Sequence, residues 1–192
     1  MSHHKPVDPD RRFFLGAAVT VLLGSGLTAA LATFMTSLRM TERTKANSGP
    51  VVVDLEHLTP GQQMTIVWQG KPIWIIRRTQ AMLNGLKHDT DSLRDPESKV
   101  DQQPPYATNW YRSIHPEYLV LVGVCTHLGC TPLYQAKGFE PASCAFYCPC
   151  HGSCFDFAGR VFKRVPAPIN LEVPPYRFIS QHVIEVGSHH EA

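Results

Sequence analysis

Along the chain, apolar and polar positions fall into three regimes. From Phe13 to Met35 the sequence FFLGAAVTVLLGSGLTAALATFM runs for 23 residues without a charge. A helix of that length covers roughly 35 Å, enough for a hydrocarbon core of about 30 Å, which predicts a membrane anchor over residues 13–38. Thr36 to Pro50 then carries Thr, Ser, Arg, Glu, Lys, Asn and Gly with little apolar content, the composition of a linker. Its stretch 39–50 reaches about 40 Å when extended. Beyond Val51 the pattern changes to short β signals. Val51 to Leu55, Met64 to Gln69 and Lys71 to Thr79 read as strands, the last two forming a hairpin turned at Gly70. Tyr118 to Val124 is an apolar run that ends at Cys125, and Tyr176 to Ser180 with His182 to Val186 predicts a closing hairpin. Between Gln80 and Pro116 only Ala81 to Lys87 has a helical pattern, and Asp89 to Pro105 has loop chemistry. Sixteen prolines and many short strands predict an all-β fold, an antiparallel β-sandwich over residues 51–188 with one inserted segment.

Composition changes this picture in two places. A formal net charge of +2 gives no electrostatic footprint for nucleic acid, so no nucleic-acid partner is expected. All six cysteines lie between Cys125 and Cys154, which points to a local metal or redox site instead of a disulfide framework spread through the fold. Lys and Arg flank the apolar span on both sides and do not orient it. The pair Arg11-Arg12 directly before Phe13-Phe14-Leu15 resembles a twin-arginine export signal, which carries proteins across already folded. That resemblance places residues 1–12 in the cytoplasm. The span is longer than the apolar region of a cleaved leader, although Ala-x-Ala-like positions occur near Ala29 to Ala32, so it is expected to be retained as the anchor.

The chemistry concentrates in two clusters separated by 17 residues, Cys125-Thr126-His127-Leu128-Gly129-Cys130 and Cys148-Pro149-Cys150-His151-Gly152-Ser153. Each offers a thiolate and an imidazole on a short loop, and two such loops closing on one another supply two sulfurs and two nitrogens. Two histidines replacing two cysteines on one iron of a 2Fe-2S cluster is one use of that set. Zinc takes the same ligands, and ligand identity alone does not separate the two.

The motifs are more specific than the ligand set. C-T-H-L-G-C followed by C-P-C-H-G-S is similar to the Rieske iron–sulfur proteins of bacterial quinol–cytochrome c oxidoreductases. The likeness includes Gly123-Val124, Phe155-Asp156, Gly159-Arg160, Pro166-Ala167-Pro168, Asn170-Leu171 and Val173-Pro174. It implies a Rieske-type fold whose small cluster-binding subdomain spans about residues 120–170. It also implies one 2Fe-2S cluster, with Cys125 and Cys148 on the inner iron and His127 and His151 on the outer iron where quinol is met. It further implies a disulfide between Cys130 and Cys150, a Ser153 hydroxyl bonded to a cluster sulfur, and a proline loop at Pro166-Ala167-Pro168. Cytochrome b and a c-type cytochrome are the implied partners in a dimeric complex of the bacterial inner membrane, with the soluble unit on the periplasmic side and residues 39–50 as its hinge. A Rieske subunit of an arsenite oxidase-like enzyme shares such motifs. An exported zinc-binding structural module and a soluble Rieske ferredoxin are further readings.

Three departures from the resemblance involve four positions. Phe155 stands where many relatives carry a tyrosine, and the missing hydroxyl implies a lower reduction potential. Val165 replaces the glycine that opens the proline loop. Cys144 and Cys154 are additional, and form either a second disulfide or two free buried thiols. His57, His88, His115, His182, His189 and His190 lack ligand spacing and are read as surface or tail residues, and Trp68, Trp74 and Trp110 as packing residues.

Overall fold

The computed structural model describes residues 8–38, 49–88, 90–139 and 144–188, in two compact units. The first holds helix α1 (Pro9–Ser37). Asp8 caps it by accepting from the Asp10 amide at 3.1 Å, and the proline at its first position has no N–H to lose. Its 29 residues are long and apolar enough to cross a membrane. Arg11 and Arg12 are exposed within its first turns. Most of the expected linker, residues 39–48, and the tail at His189 and His190 lie outside the described residues.

The second unit is built from nine antiparallel strands among the described residues, in three sheets of three. β1 (Val51–Asp54), β9 (Val183–Val186) and β8 (Tyr176–Ser180) form the first, in that order. The second has the order β2 (Gln63–Trp68), β3 (Lys71–Arg77) and β4 (Tyr118–Val122). The third comprises β5 (Leu133–Phe139), β6 (Cys144–Cys148) and β7 (Ser153–Phe155). The β2–β3 register pairs Trp68 with Lys71, so the hairpin turns at Gly70 as expected, with Gln69 in the turn as well instead of in the strand. β4 is buried at all five positions, which explains its unbroken apolar run. One continuous apolar core draws on all three sheets.

Differences from the expected elements have local causes. β3 stops at Arg77, two residues early, because Thr79 caps the following helix α2 (Gln80–His88), its hydroxyl accepting from the Met82 amide at 3.3 Å. β4 stops at Val122, and Gly123 after it passes so close to Trp74 that a Cβ would overlap the indole. The three strands of the third sheet are absent from the sequence-based expectation. β5 includes a glycine, and β7 is only three residues long, so neither shows a usable alternation. Trp68 and Trp74 are core residues as expected, and Trp74 stacks on Phe146 with ring centroids 5.4 Å apart. His57, His115 and His182 are exposed.

Candidate metal centre

Two loops of the same frame meet at one end of the second unit. The first leaves β4 and turns through Cys125 to Gly129; the second joins β6 to β7 through Cys148 to Gly152. In each, the glycine amide donates to the carbonyl of the cysteine four residues earlier, at 3.0 Å for Gly129 and 2.9 Å for Gly152. Both glycines hold φ near +80°, at +82° and +77°, a region side chains with a Cβ rarely enter. The histidine is third in the first frame and fourth in the second, so the two imidazoles are presented from different positions of one shape.

Those imidazoles face one another, with ring centroids 4.8 Å apart and planes at 87°. Cys125 and Cys148 are the free cysteines among the described residues, and both are buried. Burial pushes the Cys125 thiol up, and the adjacent Cys148 pushes it further. The His127 amide and the Ser153 hydroxyl donate to its sulfur and offset part of that shift. His127 is half-buried, and its Nδ1 is enclosed without a hydrogen-bond partner among the protein atoms. A buried imidazole nitrogen without a partner is costly unless something else takes its lone pair. His151 and Leu128 are exposed, Leu128 at 71%. The structure thus brings together all four residues that the sequence singles out.

The surroundings hold this arrangement from three sides. A disulfide joins Cys130 to Cys150 across the loops, with a Cα separation of 6.7 Å. The Sγ atoms of Cys130, Cys148 and Cys150 lie within 4.8 Å of one another, but two of the three are already bonded together, so that trio is not a ligand set. A second disulfide joins Cys144 to Cys154, deciding between the two readings of those extra cysteines. The proline loop packs against both frames. The Ala167 amide donates to the Ser153 hydroxyl at 3.0 Å, and the Thr126 hydroxyl donates to the Ile169 carbonyl at 2.7 Å. Before the proline loop the left-handed residue is Arg164, with φ +62°, which spares the β-branched Val165 that conformation.

Beneath the loops, Asp156 and Arg160 form a buried ion pair at 2.7 Å, and the Asp156 carboxylate also accepts from the Ala158 and Arg160 amides at 2.8 Å each. Arg78 and Arg112, also buried, donate to carbonyls of Phe157 and Ala158 at 3.1 Å. Burial lowers both guanidiniums to about 10, which leaves them charged at neutral pH. Sequence reasoning missed this frame and the Thr126 tie. The Asp156-x-x-x-Arg160 spacing is the one signal that could have found the ion pair.

The sequence profile of the Rieske [2Fe-2S] domain matches residues 50–176. The chain belongs to the Rieske family. One 2Fe-2S cluster is therefore its cofactor, and a pair of buried thiols beneath two converging imidazoles, one with an enclosed unpartnered nitrogen, fits such a group. This Rieske chain is 43% identical over 187 residues to the ubiquinol-cytochrome c reductase iron-sulfur subunit of Allochromatium vinosum, covering 94% of this chain and 90% of that one. It is 37% identical over 180 residues to the subunit of the same name from Bradyrhizobium diazoefficiens, covering 93% and 95%. Among solved structures it is similar to a chain of a hyperthermophilic respiratory Complex III, at 25% identity and a TM-score of 0.47, covering 88% of this chain and 97% of that one.

Proposed function

We propose that the chain is the iron–sulfur subunit of a quinol–cytochrome c oxidoreductase, taking an electron and a proton from quinol and passing the electron to a c-type cytochrome. Near-complete coverage of two relatives bearing that name supports the reading. The observation that carries it is the unequal exposure of two converging histidines above two buried thiols.

Cys125 and Cys148 would hold the inner iron and His127 and His151 the outer one. When bound, a cluster with imidazole ligands supplies an electron acceptor whose redox change is linked to proton uptake on those ligands. His151, being exposed, offers its ring edge to a quinol hydroxyl and takes the proton from it; His127, half-buried, is the second candidate. Exposed Leu128 beside His127 gives the tip an apolar surface for docking at a quinol site. Ser153 donates to sulfur, and the Cys130–Cys150 bridge keeps the loops from parting.

Helix α1 would anchor the chain in the bacterial inner membrane with the soluble unit on the periplasmic side, residues 39–50 serving as hinge. Cytochrome b and a c-type cytochrome would be its partners in a dimeric complex. Low-temperature electron paramagnetic resonance of the ascorbate-reduced protein tests the reading. An axially or rhombically split signal of an iron pair is expected, lost with the visible colour on replacing His127 or His151. A colourless, iron-free preparation, or colour that survives either replacement, would refute it.

A further inference from the structure

The trio of sulfurs set aside as a ligand set has chemistry of its own. Cys148 carries a free, buried thiol, and its Sγ lies within 4.8 Å of both sulfurs of the Cys130–Cys150 disulfide. A thiolate that close to a disulfide is positioned for exchange, which needs one attacking sulfur and no external oxidant. Cys125, equally buried and free, is not within that group.

We infer that Cys148 is an internal nucleophile toward the Cys130–Cys150 bridge, and that metal ligation is what restrains it. The inference rests on the reading of Cys148 as a cluster ligand. With iron on its sulfur, the lone pair needed for attack is engaged, and the bridge persists. With the iron removed, the Cys148 thiolate attacks Sγ of Cys130 or Cys150. One sulfur–sulfur bond forms as the original one breaks, and the displaced cysteine departs as a thiolate that takes up the proton Cys148 gave up. Two thiols precede the step and two follow it, so no electrons are gained or lost. Three mutually adjacent sulfurs allow three pairings, and without a preference among them the original bridge would fall to roughly one third of the population.

Two features confine the exchange. Cys130 and Cys150 sit on opposite loops, so a Cys148–Cys130 bond still ties those loops together, while a Cys148–Cys150 bond stays within one loop and frees Cys130 alone. The Cys144–Cys154 bridge is outside the adjacent trio and keeps its partner. The inference predicts an order of maturation for this chain: a bridge closed before the cluster is loaded is a bridge that migrates, consuming a cluster ligand.

The test uses the full chain in detergent, before and after anaerobic removal of iron with acid and chelator followed by return to a mildly alkaline buffer in which thiolate forms. Each sample is quenched by denaturation with an alkylating reagent, then mapped by peptide mass spectrometry without reduction. Before stripping, label is expected on Cys125 and Cys148 alone. After stripping, total label should stay at two thiols per chain, while the share on Cys148 falls roughly threefold and appears on Cys130 and Cys150. A Cys148→Ser variant should show Cys130–Cys150 intact. Label that stays on Cys148 for hours after stripping overturns the inference. So does exchange that spreads to Cys125, Cys144 or Cys154, because that is the pattern of an unfolded chain. If the starting protein contains no iron, or its Cys148 is already exchanged, the failure lies with the cluster-ligand reading.

Discussion

Replacing Phe155 by tyrosine puts the wiring of the centre to a direct test. In the short strand β7, Ser153 and Phe155 are two residues apart and share a face, with half-buried Cys154 between them on the other. Ser153 already directs its hydroxyl at the Cys125 sulfur. Phe155 is completely buried and paired with Phe146, so an added para-hydroxyl has no water to meet and must bond to a protein or cluster acceptor. A hydrogen bond to sulfur is stronger when the acceptor is more negative. Taking the spread between bonds to neutral and charged acceptors, the reduced state gains about 1 kcal/mol more than the oxidised one. For one electron that is an upward shift of about 40 mV in midpoint potential. The extra oxygen also overpacks a closed site, at a cost of about 1–3 kcal/mol of stability. A redox titration followed by circular dichroism reads the first effect, and a denaturant midpoint the second. Phe155→Leu disturbs packing without adding a donor and should leave the potential in place. A Phe155→Tyr protein with an intact cluster signal and an unmoved or lowered potential would refute the reasoning.

Other substitutions probe the frame below the centre. Asp156→Asn removes the carboxylate that pairs with buried Arg160 and whose charge also favours the buried guanidiniums of Arg78 and Arg112, and should cost about 3–5 kcal/mol in a denaturant titration. Combined with Arg160→Met, the loss should be smaller than the sum of the singles; strict additivity would mean the pair is not an energetic unit. Gly123→Ala drives a methyl into Trp74 and should destabilise by about 1–3 kcal/mol, with Trp74→Phe recovering part of it. Tyr134 donates to the Gly61 carbonyl at 2.9 Å, and burial pushes its hydroxyl up to about 12. Its contribution is complete below the unfolded tyrosine value near 10 and is lost as pH rises from about 10 to 12. Tyr134→Phe should therefore flatten stability against pH across that window, and an unchanged slope would count against the assignment.

The sequence was most informative where a single regularity dominates. An uncharged run of 23 residues reads as a helix whatever surrounds it, and KPIWIIR with its turn reads as a strand because packing and propensity agree. The paired Cys–His motifs were legible for another reason: metal donors are few, and their spacing on a loop is tightly limited. What escaped depends on contacts between distant segments. Nothing local in LYQAKGF or CAFYC marks a strand, since β5, β6 and β7 exist as partners of one another. Arg78, Arg112 and Arg160 are the kind of residue expected at the surface, and acceptors distant in sequence, such as the carbonyls of Phe157, Leu171 and Leu86, together with the Asp156 carboxylate give them reason to be inside. The Cys144–Cys154 bond could be named as a possibility but not decided, because its geometry belongs to that same third sheet.

The pairing of β1 with β9 makes the far end of the polypeptide the mooring for its beginning. Val51, the first residue past the linker, lies opposite Val186, and the ladder continues to Asp54 opposite Val183. Tension directed along β1 would load those rungs in shear together instead of peeling them singly. Under such tension the second unit would owe its mechanical endurance to the β8–β9 hairpin, and trimming residues after Tyr176 would remove the strand that holds β1.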